Sequence, residues 1–397
     1  MPLSDTGLLE RLVRFDSVSR NSNLPIADFL CNYLDGPTVQ IHRNPSADGD
    51  KTNLLIWAGP EADVGTRAGL ILSGHMDVVP ADEDKWMSDP FVATARDGRW
   101  IGRGTADMKG FLALAANVFS EFEAHKASAP LGLLLTYDEE LGTFGAKRFV
   151  ETWTHPYPLP RNAIIGEPTS LRPIRMHKGH LTVRFTVFGQ SAHSGLPHLG
   201  KNAIEPAATI VTALSALREE PEQERPETGA YFPEVPFLAI NVGEIHGGSA
   251  INVVPDECHV DVGVRTLPQG DPDELIERMR ATADAAVGVG GYTFTLLGNS
   301  PPLLLGRDAP IHQAVCEETL SQYGEGVAYA TDAGWFQNLD MDCLIFGPGS
   351  IEVAHKPNEW ISQADLVMAK EHLNHLVQRF CFAERESRDP WLQNPQT

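Results

Sequence analysis

Between about residues 178 and 297 the hydrophobic pattern spells out one small, complete folding unit, with apolar runs of another kind on both sides of it. LTVRFTVFG alternates as a half-buried strand does, and GKNAIEPAATIVTALSALREE repeats at helical spacing with Ile204, Ala208, Val211 and Leu214 expected inward. FLAINVGEI and HVDVGVRTL follow as two more strands, then the helical PDELIERMRATADAA with Pro272 near its start, then YTFTLL. The order is β-α-β-β-α-β, the ferredoxin-like arrangement. Such a unit closes its own core, so the chain around it has to form a second, discontinuous body.

That body reads as α/β. From residue 52 to about 167, TNLLIWA, GLILSG, LGLLLTY and AIIGE are continuous apolar runs, with the helical FLALAANVFSEFEA among them. Runs without alternation fit strands buried on both faces of a mixed, largely parallel sheet flanked by helices. CLIFGPG supplies another such strand, and ISQADLVMAKEHLNHLVQRF closes the chain as a helix. The expected division is residues 1–177 and 298–397 as a catalytic domain, with 178–297 inserted. REEPEQERPETG, residues 218–229, reads as a charged surface loop, and the last dozen residues read as frayed. Glycines near residues 177–180 and 292–301 mark the two crossings as hinges.

Composition narrows the function. There are 53 Asp and Glu against 31 Lys and Arg, a net charge of −22, which repels nucleic acid and anionic membranes. The five cysteines, Cys31, Cys258, Cys316, Cys343 and Cys381, lack the spacing of a disulfide framework or a thiolate metal site, and a reducing cytoplasm is expected. MPLSDTGLLERLVRF reads as an amphipathic helix through Leu8, Leu9, Leu12 and Val13 rather than a signal, and no apolar run reaches the length of a membrane span.

Chemistry-bearing residues gather where apolar runs stop. His75 and Asp77 in SGHMDVVP sit two apart, so on extended backbone both face one side, and Asp77 either orients His75 or shares its ligand. Asp107 in GRGTADMKG precedes a helix and reads equally as an N-cap or a ligand, with Lys109 a solvated charge. Asp138, Glu139 and Glu140 in YDEELG, taken alone, read as a solvated turn, Glu167 in GEPTS follows a strand, and His355 lies in the loop GPGSIEVAHKPNEW. Two histidines and several carboxylates without cysteine suit a pair of divalent ions doing hydrolysis. GLPHLGKN misses a phosphate-binding loop at Asn202, and GQSAHSG misses a nucleophile elbow at His193, which reads as an exposed turn residue.

The set SGHMDVVP, GRGTADMKG, YDEELG, GEPTS, HKGH, SAHSG, INVVP, VRTLPQGD and FGPGSIEVAHKPNEW resembles the acetylornithine deacetylase group of the co-catalytic zinc aminoacylase and carboxypeptidase superfamily, over nearly the whole chain. The resemblance implies two divalent ions, zinc first with cobalt or manganese as alternatives. By it, His75 and His355 match the terminal ligands, Asp107 the bridging carboxylate, and Glu140 and Glu167 the remaining ligands. Asp77 matches the acid that orients His75, and Glu139 the general base. His193 would lie in a lid that forms a homodimer and offers this histidine to the other subunit's site. Asn252 and Arg265 match substrate positions, with Arg265 suited to hold an α-carboxylate as a fork. Met76, Gly195 and Asp332 depart from the usual pattern without removing a ligand. The function expected is removal of the acetyl group from an amino acid, N-acetyl-L-ornithine above all, in arginine biosynthesis. Alternatives are acetylcitrulline, a succinylated amino acid or a dipeptide as substrate, and a non-catalytic dimeric binding protein.

Overall fold

A computed structural model describes residues 2–154, 158–321 and 325–382. A nine-stranded mixed sheet runs in the order Val39–Pro45, Thr52–Ala58, Leu131–Thr136, Leu70–His75, Asn162–Ile165, Asp342–Ile345, Ile174–His177 and Leu303–Leu304, with Glu325–Val327 pairing beside Ile174–His177. Four neighbouring strands at its centre, from Leu131–Thr136 to Asp342–Ile345, are parallel. Their residues are buried on both faces because helices cover both. Leu70, Leu72, Leu131, Leu133 and Ile164 face the core beneath helices Asp5–Val13, Gly110–Ser120 and Gln363–Cys381. Ile71, Leu134, Ala163 and Ile165 face the core beneath Phe144–Thr152 and Ala333–Phe336. The uninterrupted apolar runs in the sequence are this two-sided burial.

The inserted unit is ferredoxin-like. Its sheet runs Ala239–Gly247, Glu257–Thr266, Gly179–Phe188, Thr293–Ser300, all neighbours antiparallel. Leu181, Val183, Phe185, Val260, Val262 and Val264 point to one face, where helices Ile204–Gln223 and Pro272–Val287 cover them. Asp271 starts the second helix by accepting bonds from Asp273 N and Glu274 N, and Pro272 opens it. Ser4 and Ser362 cap the first and last helices of the surrounding body in the same way.

Two expectations need correction. The first inserted helix buries Ala207, Ile210 and Leu214, with Ala203 buried just before it, while Ala208 is exposed. Leu214 is inward as expected and Ile204 and Val211 pack at the edge of the core, so the misplaced residue is Ala208, whose neighbour Ala207 takes the inward position. The helix also runs to Gln223, taking the first half of the expected 218–229 loop, with Pro221 in its final turn. The frayed ending lies outside the described residues. Among the described residues no helix is long and apolar enough to cross a membrane.

Candidate active site

The four central parallel strands end level with one another, which gathers their following loops on one edge. His75 pairs with Thr136, Ser73 with Ile165, and Ile165 with Ile345. Glu139 and Glu140, Glu167 and the loop bearing His355 therefore leave the sheet side by side, the position at which α/β sheets take ligands.

The backbone turns sharply after Thr136. Asp138 adopts φ +51° and Gly142 φ +131°, a value that suits a residue without Cβ. Lys51 Nζ donates to both carboxylate oxygens of Asp138 at 2.7 Å, which pins the turn. The Asp77 carboxylate accepts from Ser19 Oγ at 2.7 Å and from the backbone N–H groups of Glu139 and Glu140 at 3.2 and 3.4 Å. The His75 ring Nδ1 lies nearer the Asp77 carbonyl, at 2.9 Å, than its carboxylate, at 3.6 Å. Asp77 thus touches His75 chiefly through its backbone and spends its carboxylate on the acidic turn.

Asp107 lies three residues ahead of helix Gly110–Ser120, and its carboxylate points to two histidines instead of capping that helix. His75 Nε2 is 3.0 Å from Asp107 Oδ1, and His355 Nε2 is 3.2 Å from Oδ2. His355, at φ +60°, also approaches Glu140 Oε2 at 3.0 Å. His75, Asp107 and Glu167 form one group and Asp107, Glu140 and His355 another, the candidate ligand atoms of each lying within 4.8 Å of one another. All five sequence-predicted ligand positions fall in these two groups, and Asp107 is common to both.

The electrostatics fit a cation pair. Burial, with the Glu167 charge, lifts the Glu139 carboxyl well above the usual carboxylate range. Burial and the Asp107 charge lift Glu140 to about 7 and Glu167 well above its ordinary value. Burial opposes charge on His75, but Asp107 outweighs it and raises the imidazole, while bonds to Asp107 and Glu140 raise His355 to about 10. Carboxylates crowded out of water in this way repel one another, and divalent charge relieves that repulsion. Imidazole nitrogens and carboxylate oxygens without thiolate are donors that zinc, cobalt and manganese accept.

A cavity of about 230 Å³ opens over the two groups. Glu139, Glu140 and His355 line it, and opposite them Arg265 and His180, directly paired across neighbouring strands, reach in from the inserted sheet. Burial, and then the Arg265 charge, depress His180 to about 4, so it stays neutral near pH 7. His193 and Asn252 do not line this cavity. They sit exposed on a two-stranded ladder where Ala192–His193 pairs with Val253–Val254, and Ser194 N donates to Asn252 O at 2.9 Å.

Several contributors escaped sequence reasoning. His180 and Tyr329 line the cavity, Asp332 is buried and accepts from Thr136 Oγ1 at 2.6 Å, and Glu359 is buried beneath Asp107. Glu359 accepts from the N–H groups of Ala106 and Asp107 and from Arg103 Nη1 at 2.7 Å, which holds the turn carrying Asp107. The motifs HKGH and HKPNEW contained His180 and Glu359, and Asp332 stood out only as a departure from the usual pattern, because their partners are far off in sequence. Lys109, read as solvated, is fully buried and donates to Phe15 O at 2.9 Å, and burial lowers its ammonium to about 7.

A family model described as Peptidase family M20/M25/M40 matches residues 71–379. The chain belongs to this family. An acetylornithine deacetylase of Proteus mirabilis is 37% identical over 378 residues, 93% of each chain. Among solved structures, an M20 family metallo-carboxypeptidase of Sulfolobus solfataricus superposes with a TM-score of 0.76 at 18% identity, covering 95% of this chain and 99% of the other. A dinuclear metal-binding M20 peptidase of Bacillus subtilis gives 0.61 at 13% identity, covering 94% and 96%. M20 membership makes the chain a metal-dependent hydrolase, with the two residue groups on Asp107 at hand to hold metal.

Proposed function

We propose that this M20 chain removes the acetyl group from N-acetyl-L-ornithine, releasing L-ornithine and acetate in arginine biosynthesis. The observation that carries this is the 37% identity to an acetylornithine deacetylase across 93% of both chains. His75, Asp107 and Glu167 would hold one divalent ion and Asp107, Glu140 and His355 the other, zinc in this reading. Such ions supply Lewis acidity, polarising an amide carbonyl and lowering the pKa of water.

The residues of the chain account for the proton transfers. Glu139 stands beside both groups with a carboxyl raised by burial, so it takes a proton from the attacking water and hands it to the departing amine nitrogen. Arg265 receives the substrate α-carboxylate as a two-pronged donor, and neutral His180 beside it offers a hydrogen bond without adding charge. Residues 178–297 act as a lid hinged near 177–180 and 292–301. The exposed His193, away from its own cavity, serves the active site of a second copy in a homodimer, with Asn252 positioning it through the Ser194 backbone bond. The protein works in the cytoplasm.

Release of free amine from a panel of N-acyl amino acids, with metal-stripped and zinc-, cobalt- or manganese-reconstituted protein, tests this reading. Comparable kcat/KM for acetylmethionine and acetylornithine would defeat the narrow substrate assignment. Sedimentation should give a dimer, and mixing inactive His193→Ala with inactive Glu139→Gln protein should restore activity through hybrid dimers. No restoration would place His193 outside the partner's site.

A further inference from the structure

Two buried cations lie outside the hydrolytic site. Arg175, 5% exposed, belongs to strand Ile174–His177. Its guanidinium lies over Tyr231 at 4.6 Å and donates from Nη1 to Leu305 O at 2.9 Å, while Nε has no partner. Lys178, 1% exposed, is the residue on which the chain passes from the large sheet to the inserted one. Its ammonium donates to the carbonyls of Val235 and Phe237 at 2.6 and 2.8 Å and lies over Phe232 at 5.5 Å. Among the described residues neither group forms an ion pair with a carboxylate. The charged neighbour acting on Lys178 is Arg265, and Arg175 has Arg307 beside it, so each meets another cation. Buried charge without a counter-charge is strongly unfavourable, and a protein of net charge −22 has many acids with which to supply one.

Lys178 lines a cavity of about 860 Å³ together with Arg172, Tyr231, Phe232, Glu234 and Arg307, among others, and Arg175 adjoins it only through the Tyr231 ring that it stacks on. Arg307 donates to Tyr231 Oη at 3.3 Å and lies over the same ring at 5.6 Å, so Tyr231 is braced by two guanidinium groups. Among the described residues the cavity shares no lining residue with the one over Asp107 and Glu139. Arg172 and Arg307 come from the body around the large sheet, and Tyr231 and Phe232 come from the inserted stretch.

We infer that this cavity is a second binding site, for a small organic anion whose carboxylate or phosphate is held by Arg172, Arg307 and Lys178 and whose carbon body lies on Tyr231 and Phe232. Planar guanidinium forks beside a flat aromatic floor suit that chemistry. Because the walls come from both parts of the chain and Lys178 is the crossing residue, an occupant ties the inserted unit to the large sheet. It thereby changes hydrolysis from outside the reacting centre, a consequence that rests on the reading of the inserted unit as a lid.

Calorimetric titration of the full-length, metal-loaded protein with succinate and, separately, inorganic phosphate tests the site without needing turnover. At least one anion is expected to bind, and Arg307→Gln and Arg172→Gln should each weaken it by about tenfold or more, as loss of a charge-assisted fork does. Preference for succinate assigns a carboxylate metabolite, and preference for phosphate assigns a phosphate ester. Anion-free kcat/KM for acetylornithine should be unchanged in both variants, while saturating anion shifts it in the wild type alone. No binding of either anion at millimolar concentration, or equal binding by wild type and both variants, overturns the proposal. Binding that needs Arg307 in a protein that fails to cleave acetylornithine leaves the cavity standing and removes the substrate assignment.

Discussion

At the scale of single residues, the three adjacent acids of YDEELG divide their work by where the backbone sends them. Asp138 turns back to Lys51, Glu140 turns to His355, and burial with the Glu167 charge lifts the Glu139 carboxyl well above the usual carboxylate range, which makes it the stronger base. Changing each glutamate should therefore produce a different defect. Glu139→Gln is expected to lower kcat by about a hundredfold or more while metal content stays the same. Glu140→Gln should weaken metal affinity by more than about tenfold, read by competition with a chelator, since even outer partners of ligands carry that much. Loss of metal in the Glu139 variant would show that the two roles are not separate. His177 gives a pH prediction away from the site. It is fully buried, its Nε2 has no partner, and burial lowers its imidazole from 6.5 to about 4. Between those values the unfolded chain binds the extra proton, so stability rises with pH through the window and falls as the solution is acidified toward pH 4. The loss reaches on the order of 3 kcal/mol. Urea midpoints measured from pH 4 to 7 should show a flatter dependence for His177→Gln.

At the scale of elements, what the chain shows locally is what an element can satisfy by itself. Continuous apolar runs announced the central strands and Pro272 the start of one helix, because burial patterns and helix starts are written within a few residues; the caps at Ser4, Asp271 and Ser362 emerged only in the structure. Asp271→Ala should cost about 1 kcal/mol in urea unfolding, the usual value for a lost N-cap. The ends of elements were less legible. Pro221 looked like a loop marker but is accommodated in the last turn of its helix, and Asp107 looked like a cap but leaves the first turn of Gly110–Ser120 to other groups. Close packing between elements leaves no trace in local pattern either. A Cβ on Gly166 would lie 2.0 Å from the Phe111 ring, so the strand end bearing Glu167 approaches the helix only because residue 166 is glycine. Gly166→Ala is expected to destabilise by about 1–3 kcal/mol, as overpacking does, and to reduce metal binding with it. Wild-type metal affinity in that variant would mean the strand end tolerates the shift.

At the scale of the whole molecule, crowding of Glu139, Glu140 and Glu167 makes the folded state sensitive to cations. Zinc at a hundred times its dissociation constant should stabilise the protein by about 3 kcal/mol against chemical unfolding, and a chelator should remove that gain. Equal stability with and without metal would contradict the ligand assignment. The amino-acid sequence by itself carried the two architectures in its apolar periodicity, and its motifs, through the family resemblance, the five candidate ligands. Each of these depends on short-range periodicity or on a motif a few residues long. Only the tertiary structure decided that Asp107 serves two histidines, that Lys109 and Glu359 are buried supports, and that Arg265 and His180 reach the cavity while His193 does not. It alone also decided that Lys178 is buried at the wall of a second cavity and that Arg175 stacks on the Tyr231 ring of that wall. Those facts depend on which strands lie next to each other and on what burial does to a charge, and neither is set by neighbours along the chain.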